Sequence, residues 1–527
     1  MKSKLYISIT ALMTISACQD QLDIVNPNQP TPENARTEQG IIALAQGGLY
    51  INAFQESKFG GNHFELVLGG HECMGDVIGL SFNNYFLGCP DSIRLDNGKK
   101  LHSVNENGQR GYLREVNGPS SQANPLYFEW AFMYSLNNTM NIVLANVDQI
   151  PLSKGKSSSI KAWTYFWKGF AYSRIGSMYY SAIINDEPNK TNGLYVTKEQ
   201  ILKEAENNFD KAESLLHSLG GDPDYVTVLD ALIPSVCKAA GKGGILTTDE
   251  WVRNINTMRA RNILVNTPTD EMTADMWNEV LDLCTSGVRE TDNTFTMRTD
   301  DLGNLLQYFV AGETAGTPSD GGQYYKVSER LIQDFKSGDL RLSNNFEQIS
   351  PWVAEKDRGT SVNTRYILID GGNGIPGVTV MCNRGIGEQE LYIAGSYEEN
   401  LLMLAEANIN TGKLDEGLVL IDELRSYQGA GLDPVAGTGM TLPQAKEELR
   451  SERRVALAFR GFSFYDARRW GILKSGRAGS VVVDFDGNVS TNATISYGFL
   501  DYWDVPIAEL FYNPQEPGSA LVVNPDN

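Results

Sequence analysis

Histidine is scarce in this sequence, with four residues in 527: His63, His71, His102 and His217. None shows HExxH or His–Cys ligand spacing, so a histidine-based metalloenzyme lacks its ligands. Positive charge is also in deficit. Lys and Arg total 44 against 65 Asp and Glu, a formal charge of −21, and so acidic a body repels phosphate backbones; no nucleic-acid partner is expected. Beyond the N-terminus no apolar run is long enough to span a bilayer. Cysteine numbers six. Apart from Cys18, the remaining Cys73, Cys89, Cys237, Cys284 and Cys382 form an odd, scattered set, which argues against a disulfide framework and a tetrahedral zinc site. Whether Cys73 and Cys89 pair or stay as buried thiols is left open.

Catalytic motifs are missing too. Gly461-Phe-Ser463-Phe-Tyr465 lacks the second glycine of a nucleophile elbow. Gly372-Asn-Gly374-Ile-Pro-Gly377 fits GxGxxG by letter, but Pro376 and then Val378-Thr-Val380 stand where a pyrophosphate needs a helix N-terminus. Asp484-Phe-Asp486-Gly-Asn488 has its glycine at the fourth position, not the sixth of a calcium loop, and reads as a tight turn. A glycosidase-like carboxylate pair stays open, because separation in space decides it. No cofactor and no metal is implied.

What the sequence does contain begins with an address. Lys2 and Lys4 precede Leu5 to Ile15, an apolar stretch of 11 residues that is too short to span a membrane as a helix. It ends in Ile15-Ser16-Ala17-Cys18, which resembles the bacterial lipobox; an ordinary secretory signal is the alternative. Residues 1–17 are therefore expected to be removed and Cys18 to carry acyl chains such as palmitate, each chain contributing about 0.8 kcal/mol per buried CH₂ to membrane attachment. Residues 18–32, with three prolines, suit an extended tether. Residues 33–527 are expected to form one large domain.

That body reads as mostly helical. Thr197-Lys-Glu-Gln200, Ser396-Tyr-Glu-Glu399 and Thr441-Leu-Pro-Gln444 have the form of capping boxes. Ile201, Ala205, Phe209, Ala212, Leu216 and Leu219 recur at helical period up to Gly220-Gly221. Phe128, Phe132, Leu136, Met140, Val143 and Val147 form a second stripe, and Leu414, Leu418, Ile421 and Leu424 a third. Residues 160–182, 249–266, 273–287 and 443–471 are further helix candidates. Two units have the residue order of tetratricopeptide repeats: residues 401–425, with Ala405, Gly412, Gly417, Ile421 and Leu424, and Gly169, Tyr172 and Gly176 ahead of Ala205, Phe209 and Ala212. Ordinary antiparallel helix pairs are the alternative. Residues 59–122, 290–392 and 475–503 are instead rich in Gly, Asn, Asp and aromatics, as irregular insertions with a few short β-hairpins; Asp486-Gly487 marks one hairpin turn.

Six arginines, Arg450, Arg453, Arg454, Arg460, Arg468 and Arg469, crowd one stretch, interleaved with Glu447, Glu448, Glu452 and Asp466. Intramolecular ion pairs on a packed helix are the preferred reading over a phosphate site. The surrounding run, Leu449-Arg-Ser-Glu-Arg-Arg-Val-Ala-Leu-Ala-Phe-Arg-Gly-Phe-Ser-Phe-Tyr-Asp-Ala-Arg-Arg-Trp-Gly471, resembles the C-terminal signature of the SusD/RagB family. Leu22 to Asn28, Lys161 to Tyr172, Leu402 to Arg425, and Asp504 to Glu509 with Asn513-Pro514 agree in order. Two features depart from the family pattern: Arg460 stands where an acidic residue is usual, and Asn513-Pro-Gln-Glu-Pro-Gly518 replaces the usual ending.

The resemblance implies a non-enzymatic lipoprotein displayed on the outer membrane. It would have a tetratricopeptide-like helical scaffold, bind an oligosaccharide or a peptide, and deliver it to a SusC-like TonB-dependent transporter. A surface glycoside hydrolase and a protein-binding helical scaffold are the alternatives from other classes. Ligand residues do not lie in the shared motifs. The candidates from physical reasoning are Phe82, Tyr85, Phe86, Tyr324, Tyr325 and Trp352, flat rings in Asn/Asp/Gly-rich stretches on which sugar C–H faces can stack; core packing is the alternative for each.

Overall fold

The computed structural model describes residues 36–54, 63–80, 90–102, 126–238, 241–298, 325–352, 362–368 and 390–526. Helices α1 (Glu38–Gly47) and α2 (Gly69–Met74) lead into α3 (Leu126–Val147), α4 (Lys154–Met178), α5 (Lys198–Ser218), α6 (Pro223–Leu232), α7 (Thr248–Asn266) and α8 (Ala274–Thr285). Two short helices follow, α9 (Glu329–Asp334) and α10 (Leu340–Asn345). The C-terminal part adds α11 (Tyr397–Asn410), α12 (Leu414–Tyr427), α13 (Leu442–Ala456) and α14 (Ser463–Arg469). The fold is mostly helical.

The three apolar stripes explain why these helices form where they do. Ile201, Ala205, Phe209, Ala212 and Leu216 on α5 are fully buried, as are Phe132, Leu136, Met140, Val143 and Val147 on α3 and Leu418, Ile421 and Leu424 on α12. Each long helix packs on the next: α3 on α4, α4 on α5, α5 on α7, α7 on α8, α8 on α11 and α11 on α12. Small residues set the closest approaches. A β-carbon on Gly169 of α4 would lie 2.6 Å from the Phe209 ring of α5, and one on Gly417 of α12 would lie 2.7 Å from the Ala405 carbonyl of α11. These are the small crossing residues of the two tetratricopeptide-like units. Between α4, α5 and α7 sits an aromatic core of Trp163, Phe166, Trp167, Phe209 and Trp251, and Phe295, from the irregular stretch after α8, packs 5.2 Å from Trp251.

Two helix expectations are corrected. Residues 443–471 are two helices, not one. The chain leaves helical geometry at Phe459 (φ 65°) and Gly461 (φ 77°), where the buried Glu72 carboxyl accepts the backbone N–H of Phe459 at 3.0 Å and of Gly461 at 2.8 Å. Tertiary hydrogen bonds thus replace helical ones. The boxes at Thr197 and Thr441 form, with Thr197 and Thr441 donating N–H to Gln200 and Gln444 at 3.1 and 2.9 Å. At Ser396 only half the box exists. Its hydroxyl accepts from the Glu399 amide, while the Glu399 carboxylate is taken by Arg261 at 2.5 Å on both oxygens. Thr247–Glu250, which the sequence reading passed over, caps α7 with a complete box.

The strands are short and pair antiparallel: β1 (Ile78–Leu80), β2 (Ser92–Arg94), β3 (Lys100–His102), β4 (Ser181–Ile183), β5 (Tyr195–Thr197), β6 (Thr296–Arg298), β7 (Tyr325–Val327), β8 (Phe346–Trp352), β9 (Thr364–Leu368), β10 (Glu390–Tyr392), β11 (Arg477–Val483) and β12 (Val489–Ser496). The largest sheet has the order β11-β12-β2-β3, and the others are the pairs β1–β7, β4–β5, β6–β10 and β8–β9. The Asp486-Gly487 turn joins β11 to β12 as the sequence indicated, with Gly487 at φ 83° and the Asp484 carboxylate accepting the N–H of Asp486 and Asn488, both at 2.9 Å. Cys73, Cys237 and Cys284 are buried, whereas Cys89 and Cys382 lie outside the described residues. Among the described residues no helix is long and apolar enough to cross a membrane.

Candidate functional site

A ligand surface needs side chains held on a base that does not yield. Of the sequence-picked residues, Phe82, Tyr85, Phe86, Tyr324 and the lipidation candidate Cys18 lie outside the described residues; Tyr325 and Trp352 are described by their backbones. Those backbones fall on strands of two different pairs. Tyr325 opens β7 and pairs with Leu80 of β1. Trp352 closes β8 opposite Thr364 of β9, and β9 packs against β7.

Beneath this strand platform lies a buried ion-pair cluster, built where α9 follows directly on β7. Arg330 of α9 reaches Asp76 at 2.6 and 2.9 Å. Asp76 also accepts from Ser328 Oγ at 2.8 Å and Tyr497 Oη at 2.7 Å. Burial pushes the Asp76 carboxyl upward, but the Arg330 guanidinium more than offsets this and holds it well below the usual carboxylate range. Arg454 of α13 donates to the carbonyls of Gly75 at 2.6 Å and Asp76 at 2.9 Å, and to Asp334 at 2.6 Å. Glu329 binds Arg365 of β9 at 2.8 Å, and Gln333 brackets β11 by accepting from the Val481 N–H and donating to the Gly479 carbonyl. The platform is thereby fixed to α2, α13 and the β11–β12 hairpin. Asp76, Arg330 and Tyr497 come from three distant stretches, and no local pattern marks them.

The arginine cluster resolves into intramolecular contacts. Arg453 binds Asp466 at 2.9 Å, and Arg469 binds Glu406 at 2.7 and 2.8 Å and Asp466 at 2.7 Å. Arg450 pairs with Glu447 at 2.8 Å. Arg468 donates to the carbonyls of Ser177 at 2.7 Å and Val265 at 2.6 Å. Arg460 pairs with buried Glu398 at 3.1 Å and lies 4.6 Å over the Tyr392 ring. Most partners belong to other elements. Of the interleaved acids, Glu452 goes to Arg341 and Arg425, and Glu448 to Lys336 and Arg425. The signature run therefore ties α13 and α14 to α4, α7 and α11, which is a scaffold role.

One buried pair has the look of catalytic machinery. His71 Nε2 is 3.0 Å from Glu129, which also binds Arg174 at 2.6 Å. His71 and Glu129 are 1% and 3% exposed, so they face packed side chains and not a substrate. Among the described residues no group of three or more His, Cys, Asp or Glu is placed to hold a metal.

Residues 397–519 match the model of the SusD family. This is the segment that builds α11 to α14, the β11–β12 hairpin and the C-terminal stretch. Solved structures extend the likeness to nearly the whole chain. A SusD superfamily protein from Bacteroides vulgatus ATCC 8482 is 13% identical, covering 91% of this chain and 97% of its own, with a TM-score of 0.53. A SusD-like carbohydrate binding protein from Bacteroides fragilis NCTC 9343 is 16% identical over 87% of this chain and 100% of its own, TM-score 0.54. A third, crystallised with xylogluco-oligosaccharide, is 12% identical over 92% of this chain and 99% of its own, TM-score 0.58. At these identities the shared property is the fold. No curated relative matches the chain by sequence.

Proposed function

From a SusD-family segment set in a SusD-like fold, we propose that this chain is a cell-surface lipoprotein that binds an oligosaccharide without cleaving it and hands it to a SusC-like TonB-dependent transporter. The observation that carries this reading is the family match over residues 397–519; the common fold with a protein crystallised with xylogluco-oligosaccharide supports the ligand class. In this reading Cys18 carries the lipid, residues 18–32 act as tether, and residues 33–527 work as one unit. In the same reading the helical array supplies the broad surface for the transporter, and Phe82, Tyr85, Phe86, Tyr324, Tyr325 and Trp352 supply the rings of the ligand surface.

The division of labour follows from the physics. Long helices locked by buried stripes and ion pairs keep their shape when a ligand arrives, while surface segments between the elements tolerate variation. The decisive experiment incubates the purified protein with oligosaccharide mixtures and follows both binding and product formation. Saturable binding without turnover supports the proposal, and turnover assigns a glycoside hydrolase. Binding of peptides alone assigns a RagB-like peptide receptor, and binding of neither leaves a protein-docking scaffold.

A further inference from the structure

A cleft lies beside the ion-pair cluster, lined by Asp334, Arg450, Ser451, Arg454, Trp470 and, at the start of β11, Arg477 among others. Its wall carries three guanidinium groups and, with Glu447, two carboxylates. Both carboxylates are already engaged. Asp334 is held by Arg454 at 2.6 Å and Arg477 at 2.7 Å, and Glu447 by Arg450 at 2.8 Å. Arg454 also donates to the Gly75 and Asp76 carbonyls. Arg450 does not spend all of its donors: its Nε is buried with no hydrogen-bond partner, and its guanidinium lies 5.4 Å from the Trp470 ring. The indole N–H and the Ser451 hydroxyl add further donors. Met74, Ala467, Ile472 and Leu473 complete the lining with apolar surface.

A cleft with engaged acceptors and spare donors suits an anion, and one with an indole and aliphatic walls suits an anion borne on a carbon skeleton. We propose that this cleft is a second binding site, for an acidic sugar unit whose carboxylate sits on Arg450 and Arg477 and whose carbon skeleton lies against the apolar wall of Met74, Ile472 and Leu473. The sugar part rests on the oligosaccharide reading above; the anion part stands on the donor excess alone. None of the cleft's described lining residues is among the rings picked from the sequence, so the two can be tested apart.

The test titrates the lipid-free mature protein with D-glucuronate and with D-glucose, by calorimetry or ligand-observed NMR, on the wild type and on Arg450→Glu and Arg450→Gln. Arg450 is 37% exposed and its partner Glu447 63%, so both variants are expected to fold, which a melting curve checks. The expected result is saturable glucuronate binding, no glucose binding at the same concentration, a loss of at least tenfold in Arg450→Glu, and a smaller loss in Arg450→Gln. Equal binding of glucose, absence of glucuronate binding, or unchanged glucuronate affinity in a folded Arg450→Glu protein would each overturn the proposal. If neutral oligosaccharides still bind while glucuronate does not, the second site fails and the main reading stands.

Discussion

Gly169 and Phe209 touch so closely that no side chain fits between them: a β-carbon on the glycine would stand 2.6 Å from two atoms of the phenyl ring and 3.1 Å from the Ala205 carbonyl. The crossing of α4 and α5 is therefore set by the absence of one carbon. Gly169→Ala should destabilise the protein by about 1–3 kcal/mol through overpacking, despite the better helix propensity of alanine. Gly220→Ala, where the nearest atom to the added carbon is 4.0 Å away, should change stability by less than about 0.5 kcal/mol. Paired urea-unfolding curves check this, and equal midpoints for the two variants would contradict the crossing argument.

The Arg469–Glu406 pair is closed on both guanidinium edges and almost fully buried, with side chains 1% and 2% exposed. Glu406→Gln leaves a buried guanidinium with only Asp466 for charge, at an expected cost of about 3–5 kcal/mol. Replacing both members with methionine should cost clearly less than the single change, because no charge is then stranded. Chemical denaturation of the three variants measures the difference.

Two buried carboxyls give opposite pH dependence. Burial raises the Glu129 pKa, but Arg174 and His71 more than offset it and bring it from 4.5 to about 2. The unfolded state then binds the proton first, so this contribution, about 3 kcal/mol, is full above pH 4.5 and is lost as pH falls toward 2. Glu129→Gln should be less stable than the wild type at neutral pH and converge with it near pH 2. At Glu72, burial outweighs the three backbone N–H groups and raises the pKa to about 7. Its contribution is present below pH 4.5 and fades as pH rises through 7, a slope that Glu72→Gln should remove. Unfolding free energies measured across pH 2–8 test both signs.

For the ligand platform, Trp352→Ala or Tyr324→Ala should weaken oligosaccharide binding by roughly tenfold, about 1.4 kcal/mol, while the melting transition barely moves. Leu418→Ala, in the fully buried stripe of α12, should do the reverse: a stability loss of about 2–5 kcal/mol with unchanged affinity in the folded fraction. Calorimetric titration beside differential scanning calorimetry separates the two. An intact affinity in both ring variants would remove these residues from the site.

What the sequence determined by itself is what depends on near neighbours. The stripe from Ile201 to Leu216, the boxes at Thr197 and Thr441, the Asp486-Gly487 turn and the glycine spacing of the repeat units each act within a few residues, and each has its expected form. The ion-pair reading of the arginines also held, because acids and bases interleaved in one stretch have to be neutralised when buried. Tertiary structure decided which acid each arginine meets. Arg469 turns to Glu406 on α11, and Glu399 leaves its own capping box for Arg261, since a buried guanidinium binds a carboxylate more strongly than a capping amide does. It also decided where the helix expected over 443–471 breaks, because the three N–H groups of Phe459, Gly461 and Ser463 satisfy a carboxyl 387 residues or more away in the chain. The Asp76–Arg330–Tyr497 cluster has no sequence signature for the same reason: its members share no period, no spacing and no segment, and only the folded chain brings them together. In the cleft beside it Glu447, Arg450, Ser451 and Arg454 share one helix face, but Asp334, Trp470 and Arg477 reach them only through the fold.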